Sequence, residues 1–194
     1  MRTILFSLLT AFLLQTNAQI YTAKAGATTI TFFSEAPMEN IEAVNKGASI
    51  VLRSTTGDIQ IRVTMENFKF KNALMKEHFN ENYIETEKKV EVNGTDTYPN
   101  RYAEFKGLIN EPVDYTKDGE TKVTITGKMT IHNTTRDVTL NGVMNKAGDD
   151  IQISSKFQIK VADYNIKVPS MYVKNIAEVV DVTIKSTLEP FKKK

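Results

Sequence analysis

Between Val123 and Met144 the chain reads VTITGKMTIHNTTRDVTLNGVM, and apolar and polar residues there change places at every second position. Val123, Ile125, Met129 and Ile131 share one side, and Thr124, Thr126, Lys128 and Thr130 share the other. A polar break, His132 to Arg136, follows. The alternation then resumes with Val138, Leu140 and Met144 opposite Thr139 and Asn141. Successive side chains of a strand point to opposite faces, so this period of two predicts a pair of half-buried strands. The polar residues between them suit a hairpin loop. Gly127 and Gly142 fall on the apolar side. A glycine inside a strand marks a bend or a close approach by a neighbour. A sheet that curls round an interior needs such places, so the hairpin points to a barrel.

The same pattern recurs along the chain. Thr28 to Phe33 carries Ile30 and Phe32 on one face, and Ser49 to Ser54 is a second short run. Asp58 to Met65 alternates through Ile59, Ile61, Val63 and Met65, and Phe68 and Phe70 continue it. Arg101 to Asn110 turns Ala103, Phe105 and Ile109 one way. Ile151 to Val161 places Ile151, Ile153, Phe157, Ile159 and Val161 at odd positions. Glu178 to Leu188 presents Val180, Val182, Ile184 and Leu188. Turn residues at Thr56-Gly57-Asp58, Asp118-Gly119 and Gly148-Asp149 separate these runs. About eight or nine strands at this spacing read as an antiparallel barrel or sandwich.

Four stretches break the pattern. Ser34 to Gly47, with Pro37 near its start, reads as a short helix or ordered loop. Asn72 to Ile84 reads as an amphipathic helix capped by Asn72, with Leu74, Met75, His78, Phe79 and Tyr83 on one face. That face must pack on something, and closing one end of the barrel would satisfy it. Lys89 to Val92, before the turn dipeptide Asn93-Gly94, predicts a small surface hairpin arm. Tyr164 to Ala177 is mixed, and Pro169 argues against a central strand there. Asn93-Gly94-Thr95 and Asn133-Thr134-Thr135 match the glycosylation sequon and are read as turn chemistry.

With 194 residues and no repeat or linker, the expectation is one domain. A formal net charge of +2 gives no basic face for nucleic acid, and Lys192 to Lys194 read as a solvated tail. The absence of cysteine excludes a disulfide, a thiolate zinc site, a cysteine nucleophile and a cysteine-linked lipid anchor. At the N-terminus, Arg2 precedes the apolar run Ile4 to Leu14, and Thr16-Asn17-Ala18 supplies small residues at the cleavage positions. Residues 1–18 therefore read as a secretory signal peptide, with the mature domain at 19–194. The run is shorter than the roughly 20 apolar residues a spanning helix needs. The expectation is a periplasmic or secreted protein with no stable membrane span after cleavage.

Longer motifs are familiar. Leu74-Met75-Lys76-Glu77-His78-Phe79, then Tyr98-Pro99 and Phe105-Lys106-Gly107, resemble the first signature of the YceI-like family. Val123 to His132 followed by Thr135-Arg136-Asp137-Val138-Thr139-Leu140 resembles its second. Phe32 to Pro37 and Asn80 to Tyr83 resemble a branch of the family found in exported bacterial proteins. The likeness spans Ile20 to Leu188. It implies an all-β fold: an extended, eight-stranded, lipocalin-like antiparallel barrel that binds a long isoprenoid chain. The chain departs from the family pattern in a longer spacer, Lys88 to Thr97, and in Asn133 where the second motif carries glycine.

The resemblance makes one set of inward apolar residues the expected lining of a lipid site: Ile30, Phe32, Leu74, Phe79, Phe105, Ile125, Met129, Ile131, Leu140, Phe157, Ile159, Val180, Val182 and Ile184. Pattern alone favours a filled core, because an eight-stranded barrel is just wide enough to fill with side chains or to hold one small ligand, and the resemblance reverses that preference. His78, His132 and Arg136 are candidate contacts for a lipid headgroup, a quinone carbonyl or a phosphate. Their plainer reading is one packed histidine, one loop histidine and a solvated arginine, and Arg101 reads likewise. No nucleophile elbow, phosphate loop or zinc motif is present, so no catalytic residue, metal ligand or cofactor is assigned and an enzyme is not expected. The leading expectation is an exported carrier or reservoir for an isoprenoid lipid of the quinone or polyprenyl phosphate class. Alternatives are a barrel acting through protein contacts at the Lys88 to Thr97 arm, and, more weakly, a histidine- or metal-dependent enzyme. A homodimer stays open.

Overall fold

The computed structural model describes residues 19–35, 40–167 and 177–192. The expected signal peptide, Pro37 and Pro169 lie outside the described residues. Among the described residues thirteen strands form: β1 Ile20–Ala23, β2 Thr29–Ser34, β3 Ile41–Asn45, β4 Ser49–Arg53, β5 Asp58–Thr64, β6 Lys69–Phe70, β7 Val90–Val92, β8 Thr95–Thr97, β9 Tyr102–Ile109, β10 Gly119–Ile131, β11 Thr134–Ala147, β12 Asp150–Lys160 and β13 Val179–Pro190. One α-helix, α1, covers Ala73–His78. Among the described residues no helix is long and apolar enough to cross a membrane.

Neighbouring strands pair antiparallel, and β1 closes the ring against β13, with Tyr21 opposite Pro190 and Ala23 opposite Leu188. The closed barrel has eight staves, because three of them are each built from two strands. β1 and β2 both lie on β13, Ala23 opposite Leu188 and Thr29 opposite Lys185, so the residues between Lys24 and Thr28 bulge out of the ladder, while Lys24 N donates to Thr187 O at 2.9 Å and the buried Thr28 hydroxyl meets that of Ser186. β3 and β4 form the next stave, bent at Lys46 to Ala48. The buried Asn45 holds that bend: its amide donates to Thr64 O and its carbonyl oxygen accepts from Gly47 N, both at 2.8 Å. β5 and β6 are interrupted by one 3₁₀ turn, Met65–Asn67. The barrel thus has a lower tier on β1, β4 and the start of β5, and an upper tier on β2, β3 and β6. β7 and β8 make the separate surface hairpin expected near Asn93-Gly94.

Two sequence expectations are corrected. Within Ser34 to Gly47 the described residues hold no helix; Ile41–Asn45 is a strand laid against β2, Ile30 opposite Asn45 and Ser34 opposite Ile41. Its inward residues are Ile41, Ala43 and Asn45, of which only the first is large and apolar, so there is no apolar alternation to read. The hairpin after Ile131 has no five-residue loop. Ile131 pairs with Thr134, and the turn is His132-Asn133, both at positive φ (49° and 54°), the backbone of a tight primed turn that suits the strand twist. Thr135 and Asp137 continue the outer face, where the Thr130 and Thr135 hydroxyls meet at 2.8 Å and Lys128 reaches Asp137 at 2.8 Å, while Thr134 and Arg136, opposite Ile131 and Met129, make this strand end polar on its other face too.

The glycine on the apolar side of β10 has a packing reason. Gly127 lies opposite Gly107 of β9, and a Cβ on Gly127 would collide with the Lys106 and Gly107 backbone. The Phe105 ring leans over Gly107, so a Cβ there would stand 2.5 Å from the ring. The lower tier is filled solid: Ile50, Leu52, Ile151 and Leu188 are at most 1% exposed.

Candidate functional site

The upper tier is not filled. Above the packed floor lies a cavity of about 450 Å³, within the range of roughly 300–1,000 Å³ common for small-molecule sites. Its wall comes from β2, β3, β5, β6, β9, β10, β11, β12 and β13, and its cover from the helical segment after β6.

That segment is built locally and then pinned. The Asn72 side chain accepts a hydrogen bond from Leu74 N at 2.8 Å, capping α1 as the sequence suggested. After His78 the helix widens into one π turn, Phe79–Tyr83, closed by Ile84 N donating to Phe79 O at 2.9 Å. The turn keeps Phe79 inward. Its ring stacks on Phe32 with centroids 5.5 Å apart and meets Phe70 at 5.1 Å and Phe68 at 5.7 Å. Aromatic pairs at these separations are worth about 0.5–1.5 kcal/mol beyond their area burial. Leu74, Met75, His78, Phe79 and Tyr83, the face read from the sequence, all line the cavity, and Leu74 is 54% exposed at its rim.

Beyond the helix a strap ties the cover to the barrel. Glu85, at φ 53°, brings its carboxylate 2.7 Å from Lys88 Nζ and 3.3 Å from His132 Nε2. His132 Nδ1 lies 3.2 Å from the Tyr164 carbonyl. The imidazole therefore meets an acceptor at each nitrogen, and only the doubly protonated ring donates to both at once. Lys88, and after it His132, hold the Glu85 carboxyl below the usual carboxylate range against the opposing effect of burial. Arg136 Nε donates to Asp163 O at 2.8 Å, tying the β10–β11 tip to the 3₁₀ turn Val161–Tyr164.

Of the apolar residues singled out from the sequence, all but Ile125 line the cavity. Ile125 faces Ile109 and Leu140 across the sheet and is buried at 8% exposure without reaching the hollow. Of the headgroup candidates, His78 lines the cavity, whereas His132 and Arg136 do not and instead serve the strap and the strand tip. Arg101 Nη2 donates to both oxygens of the Glu87 carboxylate, at 2.8 and 2.9 Å. Beyond that set, Ile41, Ile61, Val63, Met65, Phe68, Phe70, Ala103, Val161 and Ile166 also belong to the wall. Strand alternation was the available signal for all of these except Ile41 and Ile166, which carried none. Among the described residues, Ser34, Asn72, His78, Tyr83 and Glu104 are the polar ones around the cavity, and no lysine or arginine joins them.

Residues 21–188 match the family described as the YceI-like domain. No curated protein matches the chain. Solved structures share the fold. A polyisoprenoid-binding domain from Saccharophagus degradans, implicated in plant cell wall breakdown, is 15% identical with a TM-score of 0.71, over 88% of this chain and 98% of that one. BcnA of Burkholderia cenocepacia is 14% identical with a TM-score of 0.67, over 85% and 98%. A YCEI protein of Campylobacter jejuni is 14% identical with a TM-score of 0.55, over 82% and 90%.

Proposed function

The chain belongs to the YceI-like domain family, and from that premise we propose that it is an exported carrier or reservoir for an isoprenoid lipid, with the prenyl chain in the upper hollow and the headgroup at the helix-covered mouth. The observation that carries this reading is the hollow itself, apolar along its wall and closed below. A prenyl chain leaving water gains about 2.5 kcal/mol for each 100 Å² buried, before ordering costs. Such binding needs shape and an entrance, and no reactive group. The polyisoprenoid-binding domain of Saccharophagus degradans, which shares the fold, supports the ligand class. Export rests on the N-terminal sequence alone.

The mouth favours an uncharged headgroup over a phosphate. No lysine or arginine lines the cavity among the described residues. A phosphate drawn into this setting would lose hydration without gaining a counter-charge, which is strongly unfavourable. Asn72, His78 and Tyr83 instead offer groups of the kind that hydrogen-bond a carbonyl or hydroxyl.

Solvent extraction of the protein from its native host, followed by mass spectrometry, tests the reading, together with binding of a prenyl quinone and a prenyl phosphate of equal chain length. The expected result is an extracted isoprenoid and tighter binding of the quinone. An empty extract with no binding of either compound overturns the carrier; tighter binding of the phosphate overturns the headgroup choice. Fractionation of that host, expected to place the protein outside the cytoplasm, tests export.

A further inference from the structure

The hollow stops at a floor, and one ring sets its height. On six strands the lowest wall residues are Ile30, Ile61, Phe105, Leu140, Phe157 and Ile184. Two positions further down on those strands stand Thr28, Ile59, Gly107, Gly142, Ser155 and Ser186, and none of these reaches the cavity. All but Ile59 are small. Gly127, below Met129 on β10, adds another small residue at its pairing with Gly107. A belt of small residues thus underlies the floor, and the space it leaves at Gly107 is taken by the Phe105 ring. Phe105 is only 5% exposed, and below the belt the barrel is solid.

We propose that Phe105 is the residue that fixes how long a chain this barrel accepts; the inference rests on the reading of the hollow as a prenyl site. The wall runs from Val180 to Ile184 on β13 and from Val161 to Phe157 along the neighbouring stave. That is about 13 Å of strand, or about 10 Å along the barrel axis once strand tilt is included. A barrel hollow from end to end would take chains of many lengths. This one is blind, so a short prenyl chain fits with its headgroup at the mouth, and a longer one must fold back or leave that headgroup outside. Phe105 stands where the end of the chain meets the floor. Shrinking it opens the belt beneath; a methyl group on Gly107 drives the ring upward.

The test uses the mature protein and a length series of all-trans prenyl alcohols, from geraniol to solanesol, competed against a fluorescent fatty probe. Affinity is expected to climb with each isoprene unit until the chain meets the floor, and then to stop climbing. In Phe105→Ala, and in Phe105→Leu should the first fold poorly, the break moves to a longer alcohol, which gains on the order of tenfold. In Gly107→Ala it moves to a shorter one. Thermal melts establish that each variant is folded. A break that stays in place in folded Phe105→Leu overturns the role of the ring, and affinity that climbs unbroken to solanesol overturns the blind floor. If the unaltered protein binds no member of the series, the prenyl reading falls and this inference with it, a result distinct from either of the others.

Discussion

A methyl group on Gly127 would run into the backbone of Lys106 and Gly107, at the one place where β9 and β10 approach glycine to glycine. Gly127→Ala is therefore expected to cost about 1–3 kcal/mol, the usual range for overpacking, read as a lower denaturant midpoint at unchanged slope. Gly127 was conspicuous in the sequence because it fills an apolar slot, but its partner Gly107 was not, since register between separate strands is a tertiary fact. Tyr115 poses the opposite problem. Its hydroxyl is buried without a hydrogen-bond partner among the described residues, stacked near Tyr21 at 6.2 Å, and burial, with a smaller contribution from Tyr21, pushes the phenol up to about 12. The folded protein therefore keeps a proton that the unfolded chain gives up near 10.0, and stability is lost as pH climbs from that value through the folded one. Tyr115→Phe should remove this alkaline loss and, by deleting an unsatisfied polar group, raise stability at neutral pH by about 1 kcal/mol. Urea unfolding at neutral pH and at about pH 11 checks both effects.

α1 is six residues long, far below the roughly 12–15 at which an isolated helix is even marginal in water. It persists because Phe79 is seated among Phe32, Phe68 and Phe70, and because Glu85 straps the following turn to His132. The strap draws on an ionised Glu85, which accepts from Lys88 Nζ at 2.7 Å and lies 3.3 Å from His132 Nε2. Because the Glu85 carboxyl is held below its ordinary range, its contribution is present above the unfolded value and is lost as pH falls through the folded one. Glu85→Gln is expected to leave global melting nearly unchanged, as suits a half-exposed pair, while speeding amide exchange across Ala73 to Ile84 and not in β10 to β13. Hydrogen exchange with mass spectrometry decides this; equal protection in both regions means the strap does not hold the cover. The helix itself was legible from its cap and its apolar face. β3 was not, because Ala43 and Asn45 do most of the inward work there. The β10–β11 turn was misread because a strand end polar on both faces looks like a loop until its cross-strand partners are known.

The eight staves were readable as alternation, since a period of two says which side chains point inward. It does not say how far across the barrel they reach. Whether facing residues meet, as Ile50, Leu52, Ile151 and Leu188 do, or leave room, as Phe157, Ile159 and Val182 do, depends on tilt, bends and the side chains opposite. For that reason nearly all of the expected set lies in the wall of the hollow, which takes in other residues besides, while its depth was in no part of the sequence taken alone. Ile125 marks the boundary: it follows the same alternation as Met129 and lies on the filled side.

The solid lower tier divides the labour of the chain. Its most deeply buried side chains, Ile50, Leu52, Ile151 and Leu188, take no part in the wall of the hollow. On the proposed reading, an exchange at the half-exposed brim would therefore reshape what fits while leaving that foundation in place.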